Sequence, residues 1–206
     1  MTKPILEKNR LEAFSDGVIA IIITLLVLEM KVPHIEGEVN AYTIGSALIE
    51  IIPKFLSWAL SFFMVLIMWV NHHRIFNDLK HSDNGLMWVN GLLLFWMSFV
   101  PFPTAFMGDY FNQPLAMFFF GLCMTFTGLS FYLIRRYIFK HNHLLKDSVD
   151  LRVYQSLLSR TIIFGPVLYF IGAISAFIYP YLAYGIYALI PIYFIFFGMN
   201  KKTEGS

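Results

Sequence analysis

The first apolar stretch of the chain carries polar side chains at both ends and one in its middle. It reads RLEAFSDGVIAIIITLLVLEM from Arg10 to Met30, with Asp16 near its start, Thr24 in the middle and Glu29 near its end. A carboxylate inside a membrane can relay protons or hold helices together, and a hydroxyl can contact a passing ion. These residue types therefore indicate either ion movement or a structural polar network.

A second polar group lies in the segment WVNHHRIFND, which contains His72, His73 and Asp78. Adjacent residues of a helix diverge by about 100°, so the two histidines cannot readily bind one metal ion. The same three residues are the nearest candidates for acid–base catalysis, but they lie among predicted packing partners. We therefore expect no metal site and no enzyme.

The composition predicts an integral membrane protein. Of 206 residues, 58% are hydrophobic and only 14% are charged, and the mean hydropathy is +0.65. This is far more apolar than a soluble domain, and a net charge of +2 does not suggest a nucleic-acid partner. Cys123 is the single cysteine, which excludes an intrachain disulfide.

Spanning helices need roughly 20 mostly apolar residues each, and six stretches qualify. They form one predicted domain, 1–206, with helices at about 11–30, 52–75, 86–106, 113–135, 155–178 and 181–199. Lysine and arginine alternate between the two sides. The side expected in the cytoplasm, which includes both termini, holds Lys3, Lys8, Arg10, Arg74, Lys80, Arg135, Arg136, Lys140, Lys146, Arg152, Arg160, Lys201 and Lys202.

The connections between these helices differ in character. The outer ones are short, and the longest, 31–51, includes a weakly amphipathic segment, YTIGSALIEII. The basic connection RRYIFKHNHLLKDSVDLR is expected to signal orientation and to contact lipid headgroups. The two prolines of FVPFPTAF predict a sharp distortion of the third helix near its outer end.

Helical periodicity separates two faces of the first helix. Gly17, Ile21, Thr24, Leu25 and Leu28 share one stripe, which we call the α1 stripe. Asp16 points away from the stripe, and its six-residue distance from Arg10 does not suit an intrahelical ion pair. Both charged groups therefore need partners on other helices.

A polar network is predicted to join the first three helices of one protomer. Its members are Arg10, Phe14, Ser15, Asp16, Trp69, Asn71, His72, His73 and Asn90. A structural role for Asp16 is favoured because the α1 stripe does not include it, and a proton-relay role is the alternative.

The residues Arg10, Phe14, Ser15 and Asp16 reproduce an R-x-x-x-F-S-D signature. With AIIITLLVLEM, WVNHHRIF and NGLLLFWMSFVPFPTAF, the first half of the chain resembles the transmembrane protein 175 family, the endosomal and lysosomal potassium channels and their prokaryotic relatives. The second half is similar only in general character. The resemblance implies an all-α membrane protein whose first helix lines the central pore of a four-fold bundle, here a homotetramer with one repeat per chain.

The resemblance also assigns pore positions. Ile21 corresponds to the family's apolar constriction, Thr24 to the threonine three residues later, and Leu25 and Leu28 to further pore-facing positions. The Thr24 hydroxyl either forms a polar ring or bonds back to the Ala20 carbonyl. Glu29 is either a pore-mouth carboxylate that attracts cations or an ordinary interfacial charge.

These inferences predict a cation channel with modest selectivity for potassium over sodium. The chain has no TVGYG-like segment, so an apolar ring at Ile21 would act as filter and hydrophobic gate. K⁺ is the permeant ion, and no other cofactor is expected. A proton-conducting channel and a secondary cation transporter remain the alternatives. The single repeat implies a prokaryotic inner membrane.

Overall fold

The computed structural model describes residues 7–194, and this range is largely helical. A short 3₁₀ helix, Asn142–Leu144, follows α6, and a π-helical segment, Ile163–Val167, joins α7 to α8. The α-helices of the described range are α1 Lys8–Leu28, α2 Ala41–Glu50, α3 Ile52–Asn77, α4 Asn84–Phe99, α5 Pro101–Asp109, α6 Pro114–Lys140, α7 Leu151–Ile162, α8 Leu168–Ser175 and α9 Pro180–Tyr193.

Five helical segments of the described range are long and apolar enough to cross a membrane. They are Lys8–Leu28, Ile52–Asn77, Asn84–Asp109, Pro114–Lys140 and Leu151–Ser175. These segments overlap the first five predicted spans. The sixth prediction, 181–199, overlaps α9 up to Tyr193, and its residues 195–199 lie outside the described part of the chain, as do Lys3, Lys201 and Lys202.

Two of the spans have ends that differ from the predicted ones. The fifth span begins at Leu151 instead of 155, where the Asp150 carboxylate accepts a hydrogen bond from the Arg152 backbone N–H at 2.7 Å. The fourth span was predicted to end at 135 but continues to Lys140, because a helix can carry charged residues beyond its apolar part.

The connection 31–51 contains a helix that hydropathy did not predict. Asn40 caps α2 by accepting hydrogen bonds from the backbone N–H groups of Tyr42 and Thr43, both at 3.0 Å. The Thr43 hydroxyl in turn accepts from the Asn40 backbone N–H, which completes a capping box. This polar pair marks the start of the helix, and the weak amphipathicity of YTIGSALIEII was the other signal in the sequence.

Two proline sites interrupt the spans to different degrees. Val100 separates α4 from α5, but its dihedral angles remain helical (φ −53°, ψ −38°), so the predicted sharp distortion is only a local interruption. In the fifth span, Gly165 leaves helical geometry (φ −99°, ψ −105°) beside Pro166, which lacks a backbone donor.

The centre of the bundle is α6, which packs against α4, α5, α7 and α8, while α1 packs against α3 and α4. We call the end at which α1 begins the inner end. There, the connection after α3 pairs with the basic connection after α6 through an antiparallel bridge between Leu79 and Leu145. A 2.7 Å ion pair between Lys80 and Asp147 joins the same two connections.

Candidate pore-lining helix

One face of α1 is buried within the protomer. Ser15, Ile19, Ile22 and Leu26 are each at most 2% exposed, and they face α3 and α4. The spacing of these residues by three or four places them on a single side of the helix. This face fixes which side of α1 points away from its own chain.

The α1 stripe lies on the outward side, roughly 150° around the helix from the buried face. Ile21 is 59% exposed and Leu28 is 68% exposed, and Gly17, Thr24 and Leu25 are also exposed. No charged residue occurs between Gly17 and Leu28. The protomer thus presents an uncharged, mostly apolar face that must meet lipid, another copy of the chain or a pore.

Thr24 lies in the middle of this face. Its hydroxyl donates a hydrogen bond to the Ile21 carbonyl at 2.8 Å, rather than to the Ala20 carbonyl considered from the sequence. Threonine in a helix chooses between these two acceptors through its χ1 rotamer. The hydroxyl oxygen keeps its acceptor capacity, and Thr24 itself is exposed.

Buried hydrogen bonds connect α1, α3 and α4 at the inner end. The Asn90 amide group donates to Ser15 Oγ at 2.8 Å, and the Ser15 hydroxyl donates to the Leu11 carbonyl at 2.8 Å. Asn90 Oδ1 lies 2.9 Å from His72 Nε2, which places the histidine proton on Nε2 because the amide oxygen can only accept. Ser15, His72 and Asn90 are all at most 1% exposed.

A second contact between α1 and α3 lies at the surface of the protomer. The Trp69 indole donates to Asp16 Oδ1 at 2.9 Å. The His73 ring stacks on Trp69 with a centroid distance of 6.2 Å. Asp16 therefore has a partner on another helix, as its position in an apolar segment requires.

The remaining predicted network members make no hydrogen bond or ion pair within residues 7–194. Arg10 and Phe14 point outward, and Phe14 is 62% exposed, because both lie on the side of α1 that carries the stripe. Asn71 is half-buried and lines a cavity on another face of α3. The signature residues thus divide between Ser15 and Asp16, which make hydrogen bonds within the protomer, and Arg10 and Phe14, which point outward.

Glu29 is the C-cap residue of α1 and is exposed at the outer end. Among the described residues it has no ion pair or side-chain hydrogen bond. Lys54 and Asp109 form an ion pair of 2.6 Å at the same end of the bundle. Glu29 is therefore a free acidic group next to the outer end of the α1 stripe.

Sequence reasoning missed a polar region at the inner end that involves α6 and α7. The Arg135 guanidinium lies over the Tyr154 ring, 5.7 Å from its centroid. The available signal was the presence of Arg135 and Arg160 inside two apolar spans, where charged residues are costly and usually have a purpose. Their grouping in space could not be deduced, because α6 and α7 are separate segments.

The fold and this helix define an α-helical integral membrane protein whose first helix keeps one face free of contacts within its own chain. Residues 10–101 match the family model "Endosomal/lysosomal potassium channel TMEM175". A Chamaesiphon minutus protein named as a potassium channel is 38% identical over 91% of this chain and 93% of its own length. The chain belongs to the TMEM175 family, a family of ion channels rather than enzymes.

Two further comparisons define the extent of this relationship. The crystal structure of a lysosomal potassium-selective channel TMEM175 homologue from Chamaesiphon minutus matches with a TM-score of 0.80, at 34% identity over 91% of this chain and 96% of the other. The Gallus gallus endosomal/lysosomal proton channel TMEM175 is 26% identical over 90% of this chain, which spans 37% of that longer protein. The similarity therefore extends into the second half of the chain.

Proposed function

We propose that this protein is a cation channel selective for potassium over sodium, in which four copies of the chain place α1 around a central pore. The observation that carries the proposal is the uncharged α1 stripe, which lies exposed on the side of α1 opposite its packing face. Each subunit would be one unit of six spanning helices over residues 1–206. The termini would lie in the cytoplasm of a prokaryotic cell, with the protein in the inner membrane.

The similar proteins support potassium as the permeant ion. The Chamaesiphon minutus relative is named a potassium channel, and the matching crystal structure is described as potassium-selective. The chain covers nearly the whole length of both proteins. A shared fold alone would not transfer the activity, but the apolar stripe offers a surface on which such a pore can be built.

Ile21 is the proposed constriction. A ring of isoleucine side chains cannot replace the water lost by an ion, so each passing ion must bear part of its dehydration cost. That cost is larger for sodium than for potassium because sodium is smaller, which yields modest discrimination. The same ring closes the pore by dewetting when the side chains approach one another. Thr24, Leu25 and Leu28 would line the path beyond the ring.

The polar network has a separate role in this proposal. Hydrogen bonds from Asn90 to Ser15 and from Trp69 to Asp16 attach the inner half of α1 to its own protomer. Each subunit thereby presents Ile21 at a fixed depth and rotation. The apolar ring can then be narrow without direct bonding between subunits.

The test is potassium and sodium flux into proteoliposomes that contain wild type, Ile21→Asn or Val27→Asn. Val27 is a matched control because it is 44% exposed on the same helix but lies off the α1 stripe. We expect wild type to prefer potassium and Val27→Asn to behave as wild type. We expect Ile21→Asn to conduct faster, with a ratio of potassium to sodium flux closer to one. Equal selectivity in wild type and Ile21→Asn would remove Ile21 from the filter.

Proton conduction is a second candidate because the vertebrate relative is named a proton channel. A hydrophobic constriction that wets transiently can pass protons as well as hydrated cations. Fluorescence of a trapped pH dye, measured under a pH gradient without potassium, separates the two functions. Proton uptake that exceeds the potassium flux in wild type would favour this candidate.

A further inference from the structure

A cavity of about 560 Å³ lies on the side of the protomer that α1 does not reach. It is lined by residues of α3, α6, α7, the π-helical segment, α8 and α9, and no residue of α1 lines it. This volume falls within the range typical of small-molecule sites. It is therefore separate from the proposed pore and large enough for a ligand.

The chemistry of the cavity changes along its length. Arg74, Arg135 and Arg160 lie at the inner end together with a single aspartate, Asp78, so the formal charge there is positive. Met64, Phe131, Tyr169 and Ile190 line the deeper part. Met64 and Arg74 are separated by about 15 Å along α3. The cavity is thus cationic at one end and apolar at the other.

Arg135 provides a donor that the described residues leave unused. Its Nη1 atom is buried and has no hydrogen-bond partner within residues 7–194, while its guanidinium lies over the Tyr154 ring. A buried guanidinium nitrogen without an acceptor is costly, whereas one that binds an anion gains a charge-assisted hydrogen bond. Burial raises the pKa of Asp78, the one carboxylate among the residues that line the cavity, and the charge of Arg135 opposes this shift.

The break in the fifth span lies at the wall of the cavity. Gly165 leaves helical geometry beside Pro166, and both α7 and the segment after it line the cavity. A regular α-helix would continue unbroken from α7 to α8. The π-helical segment instead changes the backbone conformation beside α6. Breaks of this kind within helices often occur at functional sites.

We propose that this cavity binds a phosphate-bearing amphiphile, an anionic phospholipid, with its phosphate group at Arg74, Arg135 and Arg160 and an acyl chain among the deeper apolar residues. The lipid would be a ligand of each subunit, independent of the permeant ion. The phosphate chemistry is shared by free inorganic phosphate, but only an amphiphile uses the apolar part.

The test uses the full-length, delipidated protein in detergent. The shift of its melting temperature is measured against the concentration of dioctanoyl-phosphatidylglycerol, dioctanoyl-phosphatidylcholine or inorganic phosphate, because a ligand that binds the folded state stabilises it. Arg160→Gln removes an exposed arginine of the cavity. Arg136→Gln is the matched control, since Arg136 is exposed at the same end of the bundle and does not line the cavity.

We expect wild type and Arg136→Gln to bind phosphatidylglycerol at least about tenfold more tightly than the other two ligands, and Arg160→Gln to lose about tenfold in affinity. The proposal is overturned if Arg160→Gln binds phosphatidylglycerol like wild type, if Arg136→Gln weakens it equally, or if phosphatidylcholine binds equally well. Equally tight binding of inorganic phosphate would assign the cavity to free phosphate and overturn the lipid assignment. Ion flux is not the readout, so this result is independent of the proposed channel activity.

Discussion

Asn90 joins two neighbouring helices to its own, because its amide group contacts Ser15 on α1 and its carbonyl oxygen contacts His72 on α3. All three side chains are buried, so water cannot take over a lost bond. His72 Nδ1 already lacks a partner among the described residues. The inner end of α1 therefore depends strongly on this one amide.

Replacing this amide should destabilise the protein. Asn90→Ala leaves His72 Nε2 without a partner, at about 1–3 kcal/mol for an unsatisfied group. Ser15 Oγ loses the bond that it accepts from Asn90 but keeps its own bond to the Leu11 carbonyl. We expect the melting temperature in detergent to fall by several degrees. Asn71→Ala is the control, since Asn71 is on α3 and makes no hydrogen bond within the described residues. An equal fall in both variants would argue against a special role for Asn90.

Among the helices, α6 and the π-helical segment pack closely at Gly128, which has no side chain. A Cβ atom at Gly128 would lie 2.8 Å from the Pro166 nitrogen and 3.0 Å from the Gly165 carbonyl carbon. Both are backbone atoms, which cannot rotate away. The close approach of the two segments thus requires glycine at this position.

Gly128→Ala should force α6 and the π-helical segment apart, at a cost of about 1–3 kcal/mol for overpacking. The melting temperature in detergent should fall accordingly. Gly91→Ala is the matched control, because a Cβ at Gly91 on α4 meets no atom within 4 Å. That variant should melt at the wild-type temperature or above it, since alanine is the better helix former. Comparable losses in the two variants would contradict the packing argument.

The contacts between helices show which parts of the fold the sequence could predict and which it could not. Periodicity alone separated the α1 stripe from Asp16, and the cost of unpaired polar groups in a membrane pointed to partners on α3 and α4. Of those predicted partners, Trp69, His72 and Asn90 make hydrogen bonds, whereas Asn71 makes none within residues 7–194. The contact of Gly128 with Pro166 and the bridge between Leu79 and Leu145 join residues far apart in the chain. No local rule predicts such pairings. The α2 helix was missed because its signal is a polar cap rather than apolar length.

At the scale of the whole molecule, the exposed α1 stripe is the surface on which the proposed tetramer depends. A protomer could bury this face in lipid, in which case neighbouring exposed positions of α1 would be equivalent. In a tetramer with α1 at the axis they are not, because the stripe faces the pore and the rest of the helix faces protein or lipid. The two arrangements therefore differ in which side chains water-soluble reagents can reach.

Single cysteines on α1 distinguish these arrangements in a Cys123→Ala background, which removes the only native thiol. Leu28→Cys lies on the stripe, and Val27→Cys lies about 100° away on the same helix turn. We expect a charged, thiol-reactive methanethiosulfonate reagent to block potassium flux through Leu28→Cys and to leave Val27→Cys unaffected. Native mass spectrometry of the same samples should show four copies of the chain. Equal modification of both positions, or a dimer, would place the stripe outside a four-fold pore and would require a different conduction path.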